Sequence, residues 1–597
     1  MAFFGKILNV KNMIHYICIF KKFKILFTLW GDSFYRREGK MIKNKTLLIT
    51  SIASIAFFSA NIVNAKPFEP KFSASRLSND IKEVSSDAYE GRGVGTRAET
   101  KTIEFISNGM KKAGLQPGGP NGSWTQDVLL RRFKVIDPKV SINLNGTNRD
   151  LKVGEDITVS SRSALNDVSF NNAPLVFVGY GISAPERGWN DFKDENGKEI
   201  DVKGKIIVVL INDADYYTPQ NNTFGGKAMT YYGRWTYKYE EAARRGALGC
   251  LIIHETGPAS YGWETVKNSN NGNKLDIVRD DPLKSSPKLE SWISYSLAQD
   301  IFKAAGLDLD AQKKSAQGKD FHAIELKNIN LNGGFAMQTE TITSHNVVGM
   351  IKGKTRPDEY VLYSAHWDHL GIGIPDKTGD NIFNGALDNA TGVASIIELA
   401  RIYKTAPAPQ RSVIFVGFTA EESGLLGSEY YATNPVVPLE KTVAGFNIDG
   451  INLIGRTKNI EVTGIGQSSL EDDLAKYAKA QGRYISPEDT PEAGHFFRSD
   501  HFPLVKRGVP MLAAGSGVDL RKGGIAAGKA ANEAYVKDHY HQPSDEWSPN
   551  WNYTGAIEDL MINFKMGYDL ANSKKWPKWK PNSEFKAARD KSEDVRK

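Results

Sequence analysis

The sequence predicts an α/β fold, a mostly parallel mixed sheet sandwiched by helices, with a β-rich region ahead of it. Three observations carry this. From about Thr341 onward, apolar runs of strand length alternate with amphipathic helical stretches, the texture of strands joined by helical crossovers. Between Val135 and Lys327 the runs are short and separated by Gly, Asn and Pro. In the later part, polar residues recur just beyond apolar runs, as they do where an open α/β sheet presents the carboxyl ends of its strands.

The N-terminus is set aside first. Lys43 and Lys45 follow Met41 and precede the apolar stretch Thr46 to Ala60, and Val63-Asn64-Ala65 offers a small-residue cleavage site before Lys66. Residues 41–65 are therefore expected to be a signal peptide, and residues 1–40, upstream of a complete signal, a spurious extension. The apolar stretch is shorter than a membrane span requires, so no stable span is expected after cleavage and the destination is periplasmic or extracellular. The formal charge of +7 belongs to this leader: residues 1–65 hold ten Lys/Arg against two Asp/Glu, and removing that excess of eight leaves −1. The remainder has no basic stripe with interleaved aromatics, which excludes nucleic acid as a partner. Nothing in it fixes an oligomeric state. Cys18 also falls in the leader, which leaves Cys250 without an intramolecular partner. Cys250 lies in the apolar run Leu248 to Ile253, where a buried, inert thiol is expected.

The elements follow in order. In residues 66–135, the first part of the main domain, Glu99 to Ala113 places Ile103, Ile106 and Met110 at helical spacing, and Gly114 supplies the stop. Leu115 to Gly119 is a turn cluster. Residues 136–330 form the β-rich region, with strands at Leu175 to Val178 and Ile206 to Ile211, and a helix at Tyr239 to Arg245 leading through Gly246 into the strand Leu248 to Ile253. His254 and His322 stand alone there, as structural histidines do. In residues 331–575, His366 closes the strand Val361 to Ala365, Glu421-Glu422 follow Ser412 to Thr419, and Asp449 closes Val443 to Ile448. Asn389 to Lys404 has Val393, Ile397, Ala400 and Tyr403 on one face, and Glu471 to Gln481 is a second amphipathic helix. The charged tail, residues 576–597, is expected to be peripheral.

Read as chemistry, this series can hold two divalent cations. Such a pair, about 3.5–4 Å apart, needs an anionic bridge and terminal ligands on each ion. Asp388 can bridge, with His366 and Asp449 completing one ion and Glu422 and His541 the other. Imidazole and carboxylate without thiolate suit Zn²⁺, and ligand type alone does not exclude Mn²⁺ or Co²⁺. Asp368, two residues after His366, is placed to accept that imidazole's second N–H, and Asp545 is read the same way for His541. Glu421 and Glu422 are adjacent and point apart, so one can ligate while Glu421 serves as a general base. Tyr540 is the candidate oxyanion donor. Each residue alone is ordinary, since a strand-end His is commonly core and an Asp-Gly commonly a turn. Their ordered recurrence points to a site.

The strings Ser364-Ala365-His366-Trp367-Asp368-His369, Gly385-Ala386-Leu387-Asp388-Asn389-Ala390-Thr391-Gly392, Glu421-Glu422-Ser423-Gly424-Leu425-Leu426-Gly427-Ser428, Asn447-Ile448-Asp449 and Tyr540-His541 closely resemble the co-catalytic di-zinc aminopeptidases of the glutamate carboxypeptidase and bacterial leucyl aminopeptidase type. No position of the pattern is substituted. The resemblance implies a zinc-dependent exopeptidase fold, two Zn²⁺ on His366, Asp388, Glu422, Asp449 and His541, a base at Glu421, an oxyanion tyrosine at Tyr540, and a non-proline cis peptide at Asp388-Asn389. It places Arg498, Asp500 and His501 in the substrate pocket. Phe177-Val178-Gly179-Tyr180-Gly181-Ile182, Lys203-Gly204-Lys205 and Ala242 to Gly249 resemble an inserted protease-associated domain, which implies a role for the insertion in substrate access. The function implied is an exported metallo-exopeptidase, an aminopeptidase that hydrolyses N-terminal residues of peptides through a metal-bridging hydroxide. Three alternatives stand beside it. Carboxypeptidase action on acidic C-termini requires an Arg cluster, for which the sequence offers scattered residues such as Arg498. Glutaminyl cyclisation needs only a single zinc, and a non-catalytic receptor-like module is disfavoured by retention of all five ligands and Glu421.

Overall fold

Two long strands, Thr125–Leu144 and Ile324–Ile351, are the spine of the structure. In the computed structural model, which describes residues 68–270, 274–373 and 375–596, they pair antiparallel from Leu144 opposite Ile329 to Thr125 opposite Val347, with a bulge between Gly334 and Ala336. The expected extension and signal peptide lie outside the described residues. On one flank Ile324–Ile351 pairs antiparallel with Asp167–Phe177, and Ile206–Leu210, Gly249–Ile253 and Leu289–Ile293 continue in parallel. On the other flank its last residues pair antiparallel with Arg411–Phe418. Arg356–His366, Thr442–Asn447 and Met511–Ser516 then follow in parallel, with Asn459–Val462 and Tyr484–Pro487 beyond. The boundaries expected at 135/136 and 330/331 fall inside the two spine strands, which run on without a break on either side of them.

The apolar runs are buried on both faces, as parallel strands between helices must be. In the inserted region Ile207, Val209, Cys250 and Ile252 pack with Tyr239 and Ala242 of helix Trp235–Arg244, while Val208, Leu210, Leu251 and Ile253 share the opposite face with Phe302 of helix Tyr295–Ala304. Cys250 is fully buried, as expected. In the main sheet Tyr363 stacks between Phe415 and Phe446, each at 5.3 Å between ring centroids. The Tyr363 hydroxyl lies 3.2 Å from that of Tyr403 on helix Thr391–Thr405 and donates to Asn563 O (2.9 Å) of helix Thr554–Asn572. On the other face Leu362, Ile414 and Val416 meet Tyr431 and Leu504 from helices Leu426–Thr433 and His501–Lys506. Because Arg356–His366, Arg411–Phe418 and Thr442–Asn447 run parallel, their carboxyl ends share one rim. That rim carries His366, Glu421-Glu422 and Asp449.

Helices stand where the periodicity puts them, at Arg97–Lys112, Thr391–Thr405 and Leu470–Ala480. No helix among the described residues is long and apolar enough to cross a membrane. The tail is not peripheral. Trp579 and Phe585 are buried, the Trp579 Nε1–H donates to Gly508 O (2.8 Å), and the Arg589 guanidinium donates to Leu439 O (3.1 Å) and Thr442 O (2.8 Å). Two aromatic rings anchor a segment whose Lys and Glu content reads as solvated. Trp579→Ala is expected to destabilise the protein by about 3–5 kcal/mol, the range for emptying a buried aromatic site, seen as a lower denaturant midpoint. A midpoint equal to the parent's would return the tail to the periphery.

Candidate metal centre

The Asp388 carboxylate faces two imidazoles, one with each oxygen. Oδ1 lies 3.2 Å from His366 Nε2 and Oδ2 lies 3.3 Å from His541 Nε2. Asp449 Oδ1 is 3.2 Å from His366 Nε2, and Glu422 Oε2 is 3.2 Å from His541 Nε2. Ligand atoms of His366, Asp388 and Glu422 lie within 4.8 Å of one another. Tetrahedral bonds of about 2.0–2.1 Å place neighbouring ligand atoms about 3.3–3.4 Å apart, so these spacings suit a small divalent cation on either side of Asp388. His541 Nε2 is buried and makes no well-directed hydrogen bond, the condition of a lone pair kept for a metal. The Asp388-Asn389 peptide is cis.

Several of these candidate ligands are held by neighbouring groups. The His366 Nδ1–H donates to the main-chain carbonyl of Asp368 (3.1 Å), not to its carboxylate, whose Oδ1 stands 3.8 Å away. The sequence reading is corrected here. The Asp368 carboxylate accepts instead from the backbone N–H groups of Glu421 (3.0 Å) and Glu422 (3.4 Å), fixing the turn that carries both glutamates. Asp545 is likewise not the partner of His541. Its carboxylate accepts from Leu387 N (3.0 Å) and Asp388 N (3.1 Å), because those donors cannot pair within their own buried loop. Asn389 ties that loop to the next ligand: its amide donates to Ile448 O (3.0 Å) and its Oδ1 accepts from Gly450 N (3.0 Å), either side of Asp449. Ser499 Oγ donates to Asp449 Oδ2 (2.5 Å) and accepts from Asn447 Nδ2 (2.8 Å).

His369, to which the sequence assigns no role, holds Glu422 in place. Its Nδ1–H donates to Glu422 Oε1 (2.6 Å), leaving Oε2 to face His541. Gly385, at φ +53°, makes room, since a Cβ there would stand 2.5 Å from the His369 ring. The available signal was the His366-x-x-His369 spacing beside a strand end.

Charge concentrates here. Burial works against a charged His366, yet Asp449, Glu421 and Asp388 hold it well above the ordinary imidazole range. Burial and Asp388 push Glu422 upward, but His369 and His541 outweigh them and bring it to about 2. Burial, and after it Asp449 and Glu422, hold Glu421 well above the usual carboxylate range against the pull of His366. The Glu421 carboxylate makes no hydrogen bond or ion pair with the described residues, unlike that of Glu422. Tyr540 is 44% exposed, its ring stacked on His541 at 3.9 Å, with its hydroxyl unengaged among the described residues. Arg498 is partly exposed and its Nη2 donates to Ser260 Oγ (2.9 Å) of the inserted region. Asp500 and His501, expected beside it in the pocket, are buried: Asp500 accepts from Ser428 Oγ (2.6 Å), and His501 packs on Phe496 at the start of its helix.

Residues 346–565, which contain every ligand position, match the family described as Peptidase family M28. Aminopeptidase YwaD of Bacillus subtilis (strain 168) is 26% identical over 482 residues, 78% of this chain and 84% of that protein. A glutamate carboxypeptidase 2 homolog of Caenorhabditis briggsae is 26% identical over 427 residues, 63% of this chain and 52% of that protein, so the chain spans about half of that relative. Among solved structures, the aminopeptidase from Aneurinibacillus sp. strain AM-1 superimposes with a TM-score of 0.45 at 18% identity, over 86% of this chain and 95% of that one.

His369→Ala should weaken metal binding on the Glu422 side about 10–100-fold, the usual effect of removing a group that orients a ligand. His369→Asn, whose amide N–H can stand in for Nδ1–H, should recover part of it. Competition with a chelator measures both, and wild-type affinity in the alanine variant would remove His369 from the site.

Proposed function

We propose that this chain, whose residues 346–565 are those of a Peptidase family M28 metallopeptidase, is an exported di-zinc exopeptidase that removes N-terminal residues from peptides. The observation that carries the reading is the Asp388 carboxylate, one oxygen toward His366 and the other toward His541. His366, Asp449 and Asp388 would hold one zinc ion; His541, Glu422 and Asp388 the second. Zinc bound there supplies Lewis acidity, polarising a scissile carbonyl and acidifying water. The names of aminopeptidase relatives and the presence of all five candidate ligand residues support the class. Export rests on the signal-peptide reading of residues 41–65.

In this reading Glu421 takes the proton from the attacking water and returns it to the leaving amine. Its free carboxylate and raised proton affinity suit that exchange. Tyr540, beside His541, donates its unengaged hydroxyl to the oxygen that gains negative charge. Asp368 holds the Glu421-Glu422 turn through two backbone N–H groups, so that one glutamate ligates while its neighbour stays free. The protease-associated reading of the inserted region, with a part in substrate access, is supported by its contacts with the pocket segment. Besides the Arg498–Ser260 bond, Met229 N donates to Pro491 O (3.1 Å).

One observation favours the rival reading, carboxypeptidase action on an acidic C-terminus. Arg234 is 8% exposed and its guanidinium has no hydrogen bond or ion pair among the described residues, and Arg498 has no carboxylate partner. Unpaired guanidiniums suit a substrate carboxylate. A peptide-library digest read by mass spectrometry separates the two by which end is shortened.

Glu421→Gln is expected to lower hydrolysis of aminoacyl-anilides by about 10²–10⁴-fold, the worth of a general base, while zinc content stays at the parent level. Near-parental turnover in a fully loaded variant would take the base role from Glu421. Absence of chelator-sensitive hydrolysis by the parent across a broad peptide panel would reject the enzymatic reading.

A further inference from the structure

Arg92 lies far from the ligands in sequence and beside them in space. It is fully buried and forms no ion pair among the described residues, an unusual state for an arginine. Its guanidinium is spent on main-chain carbonyls. Nε donates to Trp367 O (2.8 Å), Nη1 to Asn384 O (2.6 Å) and Val84 O (3.3 Å), and Nη2 to Gly385 O (2.8 Å), with Asp388 O at 3.4 Å. Its own carbonyl accepts from His369 N (3.3 Å). Trp367 follows His366, and Asn384 to Asp388 is the loop that ends in the carboxylate shared between the two imidazoles. One side chain therefore holds both loops.

The local backbone is bent to deliver it. Glu90, Gly91 and Arg92 have φ of +46°, +63° and +51°, three consecutive residues in the left-handed region that L side chains rarely adopt. Gly91 is required, because a Cβ there would stand 2.5 Å from both Gly371 O and Phe383 O. Such a conformation persists where its surroundings over-determine it, and such residues cluster at functional sites. Burial lowers Arg92 to about 10, while Asp388, Asp545, Asp368 and Glu422 act to raise it, so it remains a cation at neutral pH.

We infer that Arg92 is a positioning residue for the metal centre: its fork of donors fixes the His366 and Asp388 loops at ligand spacing, so that zinc affinity depends on it. This rests on the reading of His366, Asp388, Glu422, Asp449 and His541 as ligands. A planar fork of five N–H donors can span both loops, whereas an ammonium carries the charge at a single point.

The test uses the full chain, stripped and titrated with zinc against a chelator, with the unfolding temperature of each metal-free protein recorded separately. Arg92→Met keeps the stem and removes the donors, and it should lose about 10–100-fold in zinc affinity, the range for groups that orient ligands. Arg92→Lys should fall between that variant and the parent. Arg92→Gly, compatible with the positive φ, should regain affinity when millimolar methylguanidinium is added and not when methylammonium is added. Parental zinc affinity in the Met variant overturns the inference, whatever its unfolding temperature. If the Met variant does not fold, parental affinity in the Lys variant does so, as does a Gly variant indifferent to methylguanidinium. A parent chain that binds no zinc overturns the ligand reading itself and this inference with it.

Discussion

A loop buried against a sheet has main-chain N–H and C=O groups that water cannot reach, and every one must find a partner. Asn384 to Asp388 is such a loop. Its donors at Leu387 and Asp388 go to the Asp545 carboxylate, and its acceptors at Asn384 and Gly385 go to the Arg92 guanidinium. The two side chains do not pair with each other; each spends its charge on the backbone between them. This fixes where Asp388 can stand. With Asp388 in place, His366 and His541 fall on opposite sides of one carboxylate, and the Asn389 amide ties the same loop to the Asp449 segment.

Elsewhere in the site, neighbouring side chains likewise fix the groups that face the shared carboxylate. Asp368 fixes the turn after strand Arg411–Phe418, His369 turns Glu422, and Ser499 turns Asp449. What remains free is informative. The Glu421 carboxylate and the Tyr540 hydroxyl have no partner among the described residues; Glu421 stands next to Glu422, whose carboxylate accepts from His369, and Tyr540 stacks on His541. Those two open polar ends are the groups to which the proposed function gives the proton exchange and the oxyanion contact.

Much of this was legible in the sequence because parallel strands end on one side. His366, Glu421-Glu422 and Asp449 each follow an apolar run, and that pattern alone places them on a common rim. The cis peptide at Asp388-Asn389 followed from the family resemblance. Supporting roles were less legible, since they depend on side-chain direction and on partners far away in the chain. Asp368, two residues from His366, can reach the imidazole or the next strand's turn, and spacing does not choose between them. Arg92 serves a loop nearly three hundred residues later, in a stretch with no periodic signal of its own. The tail misled for a different reason: its composition is charged, and two aromatic rings are enough to dock it.

The central claim is that Asp388 is shared between two metal sites. Anomalous scattering at the zinc edge from crystals of the zinc-loaded full chain tests it most directly. The account predicts two peaks flanking Asp388, one bonded to His366, Asp449 and Oδ1 and the other to His541, Glu422 and Oδ2. A single peak at saturating zinc, or two peaks of which only one touches Asp388, would contradict it.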